Sequence, residues 1–250
     1  IVGYQIRLKS NYNPTTGRIF YCTTGILLKY LQTDTNLSRF THVILDEVHE
    51  RDVNTDLLLN LLRNVLTTNP TMKLIIMSAT VDVDLFRNYL NHPPVMHIPG
   101  FTYPVKSYFL DDLSTLNLSE SYQMAVNNNE LPNVVHEDVA KLIRHIHKTK
   151  KEGAILCFLP GWEDIIKVEK LMSPSSDMSV LCLHSRLQDS DQRKIFSRTP
   201  PGVRKVILST NIAETSVTID DVVYVIDTGI HKENRFDHDK GKFSVVFRND

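Results

Sequence analysis

Short apolar runs and helix-period stretches alternate along this chain. Residues 2–8 switch between polar and apolar side chains, the period of a strand with one buried face. Residues 18–22 read as a strand and 25–31 as a helix. His42-Val43-Ile44-Leu45 is a buried strand that runs straight into acids. Leu recurs at helical spacing over 55–66, with Asn54 or Thr55 as the expected N-cap. A second buried strand is predicted over 73–77, a helix over 82–90 and a third strand over 95–98. Pro99-Gly100 and Pro104 then break the pattern and suggest a hinge.

Residues 111–135 are polar and without period, so a loop or insertion is expected there. The pattern resumes with a helix over 136–148, a strand over 154–159, a helix over 162–171 and a strand over 180–183. A helix over 189–196 and strands over 205–209 and 222–226 follow. Strands alternating with helices mean α/β architecture with a parallel, doubly wound sheet. Two such blocks are expected, 1–104 and 105–250. Ile1 opens the chain inside a strand-like run and Val245-Val246-Phe247 closes it in another, so the chain reads as a piece of something larger.

Composition narrows the class. No apolar run approaches the roughly 18 residues that span a bilayer, and no signal peptide opens the chain. Cys22, Cys157 and Cys182 are far apart with no CxxC spacing, which points away from a zinc ribbon or a disulfide scaffold and suits a reducing compartment. An intracellular location is expected, with cytoplasm, nucleus and mitochondrion left open. With 28 basic and 29 acidic residues, any nucleic acid must be held by local groups, not by a global basic field.

Three segments carry candidate chemistry. Asp46 and Glu47 end a buried strand, at the edge where open α/β sheets bind ligands. One carboxylate there can hold Mg²⁺, which prefers oxygen ligands, and the other can activate a water. For a single acidic pair a solvated strand end is the commoner case, and His49 alone reads as a surface histidine. Glu47-Val48-His49 is not the HExxH of a zinc site. Ser78-Ala79-Thr80 follows the next strand, where a helix N-cap is the bland alternative. Residues 210–216 pack hydroxyls, an amide and an acid after a buried strand, groups that grip phosphates without net positive charge. A polar turn is the alternative. Lys141, Arg144, His145, His147, Lys148, Lys150 and Lys151 cluster on one helix and its end, and a solvated face accounts for them better than an RNA patch.

In order, these segments resemble the DEAH/DExH-box superfamily 2 helicases. Asp46-Glu47-Val48-His49 resembles motif II, with Val where the name-giving sequence has Ala. Ser78-Ala79-Thr80 is similar to motif III, Ile155-Leu156-Cys157-Phe158-Leu159-Pro160-Gly161 to motif IV, and Cys22-Thr23-Thr24-Gly25 to motif Ib. Residues 210–216 with Thr218 and Asp220 resemble motif V. The run from His49 to Asp56 and the Pro160-Gly161-Trp162 tail are similar to the RNA helicase A-like subgroup. The resemblance implies two RecA-like domains, each a mostly parallel sheet flanked by helices and both truncated. Motifs Ib, II and III would lie in 1–104, and motifs IV and V in 105–250.

It also implies roles. Asp46, with Glu47 beside it, would hold Mg²⁺, and Glu47 would activate the hydrolytic water. His49 would sense the nucleotide, and Ser78 and Thr80 would couple it to domain motion. Phe196 would stack on the nucleotide base, with Thr218 and Asp220 facing its ribose or the water. Thr23, Gly25, Ser185, Thr210 and Asn211 would hold an RNA backbone. The implied activity is ATP (or other NTP) hydrolysis coupled to 3′→5′ translocation and unwinding of RNA, with protein cofactors as further partners and no membrane. Two alternatives remain at this point: a non-catalytic RNA-binding scaffold, and a helicase acting on DNA.

The sequence departs from the family in having no GxxxxGK[ST] loop, no motif Ia and no QRxGRxGR motif. Val48→Ala is expected to matter little, since the slot is apolar in either case. An arginine finger alone contributes on the order of 10³–10⁵ in rate. These 250 residues by themselves are therefore expected to hydrolyse almost no ATP, as a phosphate-release assay with and without RNA would read. RNA-stimulated turnover by the purified 250-residue chain would overturn that expectation.

Overall fold

The structure is a computed structural model that describes residues 1–79, 83–100, 103–116, 136–172, 175–213, 218–237 and 242–249. The chain divides into two compact units, Ile1–Thr102 and Tyr103–Asp250.

The first unit opens with β1 (Val2–Ile6) and β2 (Lys9–Asn11), an antiparallel hairpin, and β3 (Ile19–Cys22) pairs parallel to β1 on its other side. After α1 (Thr24–Thr33) comes β4 (His42–Leu45), a short 3-10 turn (Val48–Glu50), α2 (Val53–Thr68), β5 (Lys73–Ile76) and α3 (Val83–Tyr89). β4 and β5 pair in parallel with Leu45 opposite Ile76. The core is built by Leu27 and Leu31 of α1, Val43 and Leu45 of β4, and the buried stripe Leu58, Leu59, Leu62 and Val65 of α2. That stripe has the 3.6-residue spacing seen in the sequence.

The second unit carries a 3-10 turn (Leu110–Leu116), α4 (His136–Thr149), β6 (Ala154–Phe158), α5 (Trp162–Leu171) and β7 (Met178–Leu183). A short α6 (Asp189–Gln192) runs into a 3-10 turn (Arg193–Phe196), then β8 (Arg204–Ser209), a 3-10 turn (Asn211–Ala213) and β9 (Val222–Asp227). β10 (Ile230–Asp237) and β11 (Lys242–Asn249) form an antiparallel hairpin. The order β7-β8-β6-β9 makes a four-stranded, all-parallel sheet. The central strands β6 and β8 carry apolar runs because both their faces are covered, whereas the edge strand β9 leaves Val223 and Val225 exposed. Ile155, Cys157, Val206 and Leu208 face α4 and α5, while Leu156 and Ile207 pack with Ile195, Ala213 and Ile219 on the other face.

Several expectations are corrected. No strand forms over 95–98; Met96 and Ile98 are about four-fifths exposed, at 83% and 78%. The apolar run lies between Pro93-Pro94 and Pro99, and among the described residues no strand offers it a ladder. The two sheets of the first unit are separate, not one doubly wound sheet. The N-cap of α2 is Asp52, which accepts from the backbone N–H of Asn54 at 2.9 Å and of Thr55 at 3.2 Å. The helix expected over 189–196 splits into α6 and a 3-10 turn. Of the expected loop at 111–135, the first residues form a 3-10 turn in which Phe109 N–H donates to Asp112 Oδ2 at 2.8 Å; 117–135 lie outside the described residues.

Val48 is the correction with an energetic consequence. It is completely buried in the first core, its N–H donating to Met77 O at 3.3 Å. The slot is not indifferent to size. Truncation to Ala removes two buried methyl groups and leaves a void, so Val48→Ala is expected to cost about 1–2 kcal/mol of stability. A urea midpoint unchanged from wild type would contradict this.

Candidate functional site

Parallel pairing of β4 and β5 points both strands' carboxyl ends the same way. The hydrogen-bond ladder runs past the strands: Met77 N–H donates to Leu45 O at 2.8 Å, and Val48 reaches back to Met77. The segments 46–49 and 77–78 are thereby held side by side. Val48 is buried, so its neighbours Glu47 and His49 are left at the surface. The turn is tight. Glu47 sits in the left-handed region at φ 54°, and Arg51 at φ 53°. Non-glycine residues adopt that conformation at a cost, and it concentrates at functional sites.

Within this turn Glu47 N–H donates to Asp46 Oδ1 at 2.9 Å. His49 Nδ1 lies 3.3 Å from Ser78 Oγ and 3.4 Å from Glu47 Oε2. One imidazole nitrogen thus touches a carboxylate from the end of β4 and a hydroxyl from the end of β5. Four of the predicted residues, Asp46, Glu47, His49 and Ser78, come together; Thr80 lies outside the described residues. Among the described residues no group of three or more His, Cys, Asp or Glu side chains forms a metal cage. Asp46 and Glu47 nevertheless offer hard oxygen donors with lone pairs to spare, the donor set of a Mg²⁺ held mainly by water and phosphate oxygens.

Just beyond, Arg51 clamps Asp56 through Nε at 2.8 Å and Nη2 at 2.9 Å. Those hydrogen bonds hold the Asp56 carboxyl below the usual carboxylate range and the guanidinium above its own. This pair walls a hollow of about 440 Å³ whose other sides are Leu59, Leu85, Phe86 and Tyr89. This hollow is therefore next to the acidic turn but does not contain it.

Thr23 is the N-cap residue of α1. It is exposed, its side chain makes no capping hydrogen bond, and its carbonyl accepts from Ile26 and Leu27. Gly25 follows in the first turn, and a Cβ added there would meet nothing within 4 Å. A helix start with open space beside Gly25 suits an anion.

In the second unit the carboxyl ends of the four strands share one edge of the sheet. Register pairs Leu183 with Ser209, Ser209 with Phe158, and Phe158 with Asp227. Ser185, Thr210, Asn211 and the Pro160-Gly161-Trp162 turn thus follow neighbouring strand ends. Ser185 and Asn211 are exposed. Ser209 Oγ donates to Thr210 O at 2.7 Å, and Ala213 N–H to the same carbonyl at 3.3 Å. His184 lies against the Trp162 ring at 5.3 Å between centroids; burial, then the charge of Arg186, pushes its pKa down. Residues 214–217 lie outside the described residues.

Phe196, Thr218 and Asp220 meet elsewhere in this unit. Together with Arg198 and Asp221 they line a recess of about 90 Å³. That is well below the ~300 Å³ of a full small-molecule site, so it accepts one flat edge of a ligand. Phe196 is 56% exposed and offers a ring face, while its neighbour Ile195 is buried at 1%. Ile219, buried between Thr218 and Asp220, leaves those two exposed. Sequence reasoning missed Arg198, two residues from Phe196, and Asp221, which only the folded chain brings beside it. It also missed Lys205, read as the polar start of a strand but 2% exposed. Its signal was a lysine heading the apolar run Val206-Ile207-Leu208.

The basic helix is partnered from within. Lys141 pairs with Asp138 at 3.2 Å, His147 with Asp177 at 2.9 Å, and Arg144 donates to Leu171 O. No helix among the described residues is long and apolar enough to cross a membrane. The three cysteines are free thiols. Burial pushes all three pKa values up, Cys182 to about 12 with Glu169 adding to the rise.

Comparison with known proteins gives concordant matches in both units. Residues 4–87 match the DEAD/DEAH box helicase model and 137–241 the helicase conserved C-terminal domain model. The ATP-dependent RNA helicase DHX30 of Gallus gallus is 46% identical over 94% of this chain, and that of Homo sapiens 43% over 94%; each match covers 20% of the relative. The ATP-dependent DNA/RNA helicase DHX36 of Bos taurus is 38% identical over 94% of this chain and 28% of its own. The chain thus spans less than a third of the length of these relatives. The crystal structure of the Escherichia coli DEAH/RHA helicase HrpB superimposes with a TM-score of 0.80 at 32% identity, over 99% of this chain and 30% of that one.

Because the thiolate is the nucleophile, Cys182 at pH 8 is expected to react with iodoacetamide on the order of 10³-fold more slowly than free cysteine. Mass spectrometry of the native protein reads this, and labelling at the free-cysteine rate would contradict the burial.

Proposed function

We propose, from the premise that this chain belongs to the DEAH/DExH-box superfamily 2 helicases, that it carries part of the motor of an ATP-dependent RNA helicase. The observation that carries the reading is the convergence of Asp46, Glu47, His49 and Ser78 at the paired ends of β4 and β5. Four polar groups on two strands form a compact acid–imidazole–hydroxyl set at the ligand-binding edge.

Each residue then has a chemical task. Glu47, partly exposed, takes a proton from the attacking water. Asp46 is oriented by the Glu47 N–H, and with Glu47 it would hold Mg²⁺. That ion, when bound, supplies positive charge against phosphate oxygens. His49 links the acidic turn to Ser78, so a shift at Glu47 is passed to the strand leading toward α3. Phe196 stacks on the nucleotide base, with Thr218 and Asp220 at the ribose side of the same recess. Thr23 and Gly25, and in the second unit Ser185, Thr210 and Asn211, hold the RNA backbone through hydroxyl, amide and N–H groups. Such contacts read phosphate and sugar and carry no base sequence. Alternation of these grips with nucleotide state gives 3′→5′ movement along a strand. A reducing compartment inside the cell is the location this reading favours, in keeping with three thiols that form no disulfide. The DNA/RNA naming of DHX36 favours a second reading, in which DNA also serves.

In the full-length protein, Glu47→Gln is expected to lower RNA-stimulated ATP turnover by at least about 10²-fold while ADP affinity stays within about threefold. The side chain keeps its size and its backbone conformation. Turnover near wild type would sink the assignment of Glu47 as base, and no RNA stimulation of the wild-type protein would sink the reading as a whole. Running the assay with RNA and DNA of one sequence separates the two substrate readings.

A further inference from the structure

We propose that Lys205 is a positioning residue for the base of the nucleotide, acting through Phe196; the proposal rests on the nucleotide reading of the Phe196 recess. Lys205 is the second residue of β8, and its side chain is 1% exposed. Its ammonium has three N–H donors. They meet three acceptors: Ile195 O at 2.7 Å, Ser197 O at 2.9 Å and Asp221 Oδ1 at 2.8 Å. The two carbonyls are those on either side of Phe196. The carboxylate belongs to the residue after Asp220, and Asp221 also lines the recess. One buried charge therefore ties both walls of the recess, the Phe196 turn and the entry to β9, to a central strand of the sheet.

The linkage is costly to loosen. A buried ammonium is tolerated only while its donors stay paired, so each of the three acceptors is held in place. Apart from Lys205, the Phe196 turn is anchored by Ile195, which packs into the core on that face of the sheet. It is a 3-10 turn, Arg193–Phe196, with no side-chain cap, and Ile195 alone of its residues is buried. Lys205 does not itself line the recess, so it acts on the ring and not on the ligand. A residue serving only to fill the core here would be apolar, like Val206, Ile207 and Leu208 after it. What the ammonium adds is the fixed relation between the stacking ring and the facing loop.

The test compares calorimetric Kd values for ADP and for ribose 5-diphosphate, which lacks the base, in the full-length protein. The Kd for ribose 5-diphosphate divided by the Kd for ADP reads the contribution of the base. Phe196→Ala is expected to lower that ratio about tenfold, as loss of a base stack does. Lys205→Met is expected to lower it by a similar factor, with ribose 5-diphosphate binding unchanged. The double variant is expected to fall no further than either single one. If Lys205→Met weakens both ligands equally, leaves the ratio intact, or multiplies with Phe196→Ala, Lys205 is merely structural and the proposal is overturned. If Lys205→Met does not fold, Asp221→Asn carries the same comparison, with a fall of about threefold expected and an unchanged ratio overturning. A ratio untouched by Phe196→Ala itself defeats the nucleotide reading of the recess; a ratio lowered by Phe196→Ala but not by the Lys205 and Asp221 variants defeats this proposal alone.

Discussion

Parallel strand pairing is the constraint from which the rest follows. When neighbouring strands run the same way, their carboxyl ends emerge together, and the connections leaving them must supply polar groups side by side. β4 and β5 bring Asp46 to His49 against Met77 and Ser78 in this manner. The sheet β7-β8-β6-β9 does the same for Ser185, Thr210 and the Gly161 turn. Because the central strands of that sheet are buried on both faces under apolar side chains, their carboxyl ends are where chemistry can reach solvent.

Charge is used locally throughout. The near-neutral chain has no broad basic field, and several of its positive groups are matched at short range. Arg51 is taken by Asp56, Lys141 by Asp138, and Arg204 by the carbonyls of Lys150, Lys151 and Gly153. The Arg51–Asp56 clamp obeys the same linkage as any depressed carboxyl. Its contribution is present above the unfolded-state pKa of Asp56 and fades as pH falls through the folded value. Both groups are exposed, so the effect on stability is small. Lys205 is the exception, a charge taken fully inside and used as a three-way tie.

Most elements were legible because each obeyed one period. The α2 stripe and the apolar runs of β4, β6 and β8 needed no partner to be recognised. The failures share a cause. Residues 95–98 have strand composition, but a strand exists only beside another strand, and none among the described residues pairs with them. The α2 cap moved to Asp52 because its carboxylate reaches two N–H groups at once, a choice that composition alone does not rank. The stretch before β8 breaks into α6 and a 3-10 turn, whose Ile195 packs onto the sheet face and whose Ile195 and Ser197 carbonyls bond to Lys205.

What the amino-acid order determined by itself was the alternation of strands and helices and the identity of the chemical residues at strand ends. Those are local properties: periodicity, apolar runs and motif spacing are written over a few neighbouring residues. Only the tertiary structure decided which of them touch. That His49 lies against Ser78, that Asp221 joins Phe196, and that a lysine in a strand is buried on two carbonyls and a carboxylate all depend on register and on packing between segments apart in the chain. Those contacts are set by the pairing of whole strands, and no single stretch of sequence contains them.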